Sequence, residues 1–123
     1  MLGERPSRAQ MVAIALAALA VLVIAIDAGQ VVMHYQPIVR LADGKTSSFE
    51  ALMRLEGENE SLISPADFIG PAERSGLIHE LGRIALRDAA TQMVQWRDDW
   101  GARAPSRIAV NVSTRQLARA GFA

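Results

Sequence analysis

Half of the 123 residues are apolar, and thirteen basic side chains balance thirteen acidic ones to a net charge of zero. The apolar share leads to the expectation of a folded chain, and the charge balance leaves no electrostatic footprint for a nucleic-acid polymer, so any anionic ligand must be captured locally. Cysteine is absent, which removes disulfides, thiolate nucleophiles and thiolate zinc sites together.

The run Met11–Ile26 carries no polar side chain and lies between Gln10 and Asp27. With Ser7 as cap and Gly29 as stop, a helix through Ala28 would measure roughly 31 Å, just enough to cross a bilayer. The chain is therefore expected to have a tail at 1–10 and a single membrane span at 11–28. A buried core helix and a cleaved signal peptide are the other readings; Arg5 and Arg8 precede the run, but no small-residue cleavage site follows it.

Val31–Leu41 reads as a strand with Val31, Met33, Tyr35 and Val39 on one face and Val32, His34, Gln36 and Ile38 on the other. Pro37 places this strand at an edge, at a bulge or first in its sheet. Asp43-Gly44 signals a hairpin and Thr46–Leu55 the returning, antiparallel strand. After a polar loop at Glu56–Ser61, Ser64-Pro65-Ala66-Asp67 starts a short helix that Gly76 closes. A longer helix follows from Ile78 to Trp100, with Ile78, Leu81, Ala85, Ala89, Met93, Trp96 and Trp100 expected to face the strands. Arg107–Val112 reads as a third strand, and Ser113-Thr114-Arg115-Gln116 as a capping box. This order begins a β/α repeat.

Four residues could carry chemistry. Glu50 is a carboxylate in an otherwise apolar strand, so it must be paired, with Arg54 for example, or bound to a cation. Asn111 lies between Val110 and Val112, either capping the following helix or offering its carbonyl oxygen to a hard cation. Glu50 and Asn111 are both read near the C-terminal ends of their strands, where barrel enzymes build their sites. Arg54 is either a phosphate fork or a solvated strand-end arginine, and Gln36 can meet a base edge or a phosphate. His34 and His79 lie in different elements and do not form a metal pair by spacing.

Tyr35-Gln36-Pro37-Ile38-Val39, Phe49-Glu50-Ala51-Leu52-Met53-Arg54 and Asn111-Val112-Ser113, in this order and spacing, resemble the EAL domain family, bacterial phosphodiesterases that open cyclic di-GMP to linear pGpG with divalent metal ions. The resemblance runs from about Ala25 onward. It implies an α/β fold, the N-terminal portion of a TIM-like (β/α)8 barrel with an antiparallel first strand, at 29–123. It also implies that Glu50 and Asn111 are ligands of Mg²⁺ or Mn²⁺, and that Gln36, Leu52 and Arg54 contact cyclic di-GMP, Leu52 through its backbone. The family's mechanism is two-metal hydrolysis, and its complete domains form homodimers.

Such a barrel needs roughly 250 residues. The family's later glutamate, its paired aspartates followed by Phe-Gly and its later lysine have no counterpart here; Asp98-Asp99-Trp100-Gly101 imitates the aspartate pair but precedes Asn111, and Lys45 lies in a turn. The chain is therefore expected to be a truncated EAL domain, inactive by itself. The alternatives are a non-catalytic cyclic di-GMP-binding module, or a protein-interaction fragment, anchored to the membrane. Arg5 and Arg8 favour a cytoplasmic N-terminus, whereas the family's messenger substrate is cytoplasmic. The substrate decides for a single-pass protein with its EAL portion on the cytoplasmic side.

Overall fold

The computed structural model describes residues 4–56 and 65–119. Helix α1, Arg8–Asp27, starts at a reciprocal cap: the Ser7 hydroxyl accepts from the Gln10 amide at 3.2 Å, and the Gln10 side chain accepts from the Ser7 amide at 2.7 Å. Gly29, at φ 68°, turns the chain out of the helix. Although α1 is apolar all round, only one stripe is covered. Ala18, Leu22 and Ala25 are buried, Leu22 completely, while Met11 and Leu16 are 50% and 61% exposed. The C-terminal half of α1 thus serves as a core helix. Its length and composition also suit a membrane span, for which one such helix near the N-terminus is weak evidence.

Strands β1, Val31–Val39, and β2, Thr46–Leu55, form the expected hairpin, with Val31 opposite Leu55, Gln36 opposite Glu50 and a register shift at Ile38/Val39. In the turn, Arg40 pairs with Asp43 at 2.9 Å and Gly44 adopts φ 68°. Pro37 lies on β1, at the edge of a sheet ordered β1-β2-β3. Strand β3, Ile108–Val110, runs parallel to β2 and is shorter than expected, so Asn111 stands just beyond it.

Helix α2, Pro65–Ser75, begins where proline is tolerated. The serine expected to cap it, Ser64, and most of the preceding loop lie outside the described residues. Gly76, at φ 85°, links α2 to α3, Leu77–Trp100. Of the expected α3 face, Ile78, Leu81, Ala85 and Ala89 are buried, joined by Ile84, whereas Met93 and Trp96 are half-buried and Trp100 is 46% exposed. The reason is length: at 1.5 Å per residue α3 is about 36 Å long and overshoots the short sheet. Trp96 makes the last strong contact, with ring centroids 5.3 Å from Tyr35 and 4.7 Å from Phe49. A 3-10 turn, Gly101–Arg103, leads to β3, and α4, Thr114–Ala118, starts at the capping box expected at Ser113 and Gln116.

Leu22, Phe68 and Leu81 are the largest fully buried side chains, and they draw α1, α2 and α3 together beside Val31 and Leu55. The helices therefore cover the sheet face that carries Val31, Tyr35, Phe49, Ala51 and Leu55. By strand alternation the opposite face carries His34, Gln36, Glu50, Leu52, Arg54 and Ala109.

Candidate functional site

All five residues singled out in the sequence relate to that second face. Gln36 and Glu50 are directly opposite on β1 and β2, and Leu52 and Arg54 follow Glu50 at the two-residue period of a strand. Ala109 is the β3 neighbour of Glu50, so Asn111, two residues further on, projects to the same side. The Asn111 amide Nδ2 donates to Glu50 Oε1 at 3.1 Å. No ion pair joins Glu50 to Arg54 among the described residues; the Arg54 guanidinium instead donates to the Met53 carbonyl at 2.7 Å. Gln36 is exposed and Leu52 half-buried.

One positional expectation is corrected. Glu50 lies in the middle of β2, not near its C-terminal end, because β2 continues to Leu55 along its hairpin partner. It still meets Asn111 because β3 is short: the ladder between β2 and β3 ends at Ala51 and Val110, so the end of β3 falls beside the middle of β2.

Where β3 ends, a cavity of about 370 Å³ opens between the sheet and α2, α3 and α4. Leu52, Arg54 and Asn111 border it along with apolar Ile78 and Leu81, but Gln36 and Glu50 do not, since the cavity lies on the helix side of the sheet. Two further residues shape it, and spacing alone did not mark them for this role. Gln116 is buried and reaches back to accept from the Ser113 amide at 2.9 Å. Gly82 on α3 makes room for it: a Cβ there would lie 1.7 Å from Gln116 Nε2. Gln116 is legible as a capping residue, but its packing on α3 has no local signal. His34, on the same sheet face as Gln36, meets Glu56 at 3.4 Å.

Glu50 and Asn111 offer hard oxygen donors of the type Mg²⁺ or Mn²⁺ accepts. Among the described residues no group of three His, Cys, Asp or Glu side chains could hold a metal ion. The pair fits such a cation in kind and would supply part of its shell. Asp98 and Asp99 lie on the exposed last turns of α3, before the N-terminal end of β3 and away from Asn111.

Comparison with known proteins agrees with this layout. The EAL domain model matches residues 20–123. The chain belongs to the EAL domain family. The match begins within α1, so the buried half of that helix falls inside it. The chain is 46% identical over 94 residues to cyclic di-GMP phosphodiesterase PdeR of Escherichia coli, which covers 76% of this chain and 14% of PdeR. It is 42% identical over 98 residues to the bifunctional diguanylate cyclase/cyclic di-GMP phosphodiesterase MucR of Pseudomonas aeruginosa, covering 80% of this chain and 14% of MucR. A solved PaMucR phosphodiesterase complex with cyclic di-GMP superposes with TM-score 0.77 at 40% identity, covering 86% of this chain and 42% of that one. The EAL chain thus spans about a seventh of the length of these two curated relatives.

Proposed function

We propose that this chain is the front portion of an EAL-type (β/α)8 barrel, and that its open sheet face binds cyclic di-GMP. In this reading Glu50 and Asn111 hold Mg²⁺ or Mn²⁺, Arg54 grips a phosphate through its planar fork, Gln36 meets a base or phosphate, and the Leu52 backbone lies against the ligand. The 3.1 Å contact between Glu50 and Asn111 is the observation that carries it.

A divalent cation bound there supplies Lewis-acid activation of water and neutralises charge at the phosphodiester. Glu50 contributes the negative charge that attracts it, and Asn111 fixes the carboxylate's orientation through the amide hydrogen bond. Arg54 must release the Met53 carbonyl to reach a phosphate, exchanging a neutral acceptor for a charged one. Mg²⁺ takes about six oxygen ligands, and two protein donors leave the shell mostly to water. In this reading Glu50, Asn111, Gln36, Leu52 and Arg54 contribute the binding of cyclic di-GMP, and hydrolysis belongs to a complete domain acting as a homodimer.

The same reading gives the chain a membrane anchor at 11–28 with the EAL portion on the cytoplasmic side; the length and composition of α1 support it, and it requires Leu22 and Ala25 to leave the helical core. Equilibrium dialysis with labelled cyclic di-GMP, with and without Mn²⁺, tests the binding reading, and product analysis tests for hydrolysis. Saturable, Mn²⁺-enhanced binding without pGpG is expected. No binding in either condition refutes the proposal.

A further inference from the structure

At the other end of the sheet lies a second cleft of about 620 Å³, between the start of β2 and the turn that connects α3 to β3. Arg40, Arg103 and Arg107 line it, as do Thr46, Ser106 and Trp100, and no carboxylate does. Three arginines thus line one cleft in a chain whose net charge is zero. Arg40 is paired with Asp43, but Arg103 and Arg107 have no side-chain partner among the described residues. Grouping like charges around a concavity is unfavourable without an anion to receive them.

Trp100 adds a second kind of recognition. One part of its ring system stacks on Trp96, with centroids 5.9 Å apart and planes 10° from parallel, which holds the indole in place. Its remaining surface leaves it 46% exposed at the cleft. A fixed indole beside free guanidiniums suits a ligand that joins a flat ring to a phosphate group. The volume falls in the range of small-molecule sites.

We infer that this basic cleft is a binding site for a nucleoside phosphate, with Arg103 and Arg107 on the phosphate and Trp100 against the base. The site is separate from the Glu50–Asn111 pair, which follows the opposite end of β3, and it needs no divalent cation. It therefore stands or falls independently of the proposed cyclic di-GMP site.

The test is fluorescence anisotropy of N-methylanthraniloyl-ADP with the full chain in EDTA, followed by competition with ADP, inorganic pyrophosphate and adenosine. The expected result is saturable binding, displaced best by ADP, less well by pyrophosphate and least by adenosine. The Arg103→Ala/Arg107→Ala double variant should raise the dissociation constant about tenfold or more, since each charged contact is worth more than a neutral one. Trp100→Ala should weaken competition by ADP and leave that by pyrophosphate unchanged. Both arginines are exposed, so circular dichroism of the double variant should match the parent. The site is overturned by non-saturable binding, by equal binding to the double variant, or by displacement with polyglutamate as effective as with ADP.

Discussion

Glu50 and Asn111 stand 61 positions apart in sequence, yet the Asn111 amide donates to the Glu50 carboxylate at 3.1 Å. Parallel pairing of β2 with β3 brings them together, through the Glu50–Ala109 register. A carboxylate and a carboxamide thus meet on the open face of the sheet, the arrangement on which the proposed cation site rests.

Arg54 is expected to be irreplaceable by lysine. Arg54→Lys keeps the charge but loses the planar fork, so affinity for cyclic di-GMP should fall about tenfold, nearly as far as with Arg54→Ala. Dialysis of the two variants measures this; a lysine variant that binds like the parent would reduce Arg54 to a point charge.

Gly82→Ala places a methyl group where Gln116 Nε2 sits. Overpacking of this kind costs about 1–3 kcal/mol, and the Ser113–Gln116 cap beside Asn111 should loosen with it. Urea denaturation should show the lowered midpoint. An unchanged midpoint would mean that Gln116 swings away freely.

Leu22 is fully buried between α1 and the helical core. Leu22→Ala should cost about 2–5 kcal/mol if α1 is docked as described. A variant as stable as the parent would mean that α1 is not part of the folded unit and leaves the span as its sole role.

Burial, and secondarily Asp88, lifts the Tyr35 phenol above its ordinary 10.0, while its hydroxyl donates to the Asp88 carbonyl at 3.3 Å. The folded chain then holds this proton more tightly than the unfolded chain. The resulting stabilisation is complete below about pH 10 and is lost as pH rises through the folded value. Denaturation midpoints followed upward from pH 9 should fall more steeply in the parent than in Tyr35→Phe; parallel curves would contradict this.

Local chemistry made much of this fold legible. Asp43-Gly44 and the flanking alternation located the hairpin, with β2 found at Thr46–Leu55 as read, because turn residues and a two-residue period act over short range. The register that sets Gln36 opposite Glu50 was not legible, because it depends on where the two strands align across the hairpin. The short β3 was less visible, since its length depends on where the neighbouring ladder stops. Helix α1 hid its docked stripe because a run apolar on all sides has no face to read. Gly82 against Gln116 could not be foreseen either, because the contact joins two helices distant in sequence.

The most direct test of the shared cation site is a Mn²⁺ titration of the full chain by electron paramagnetic resonance, repeated with Glu50→Gln and Asn111→Ala. One saturable site is expected in the parent, weakened about tenfold or more by each substitution, with circular dichroism unchanged. Parent and variants that bind Mn²⁺ equally, or a parent that binds none, would contradict it.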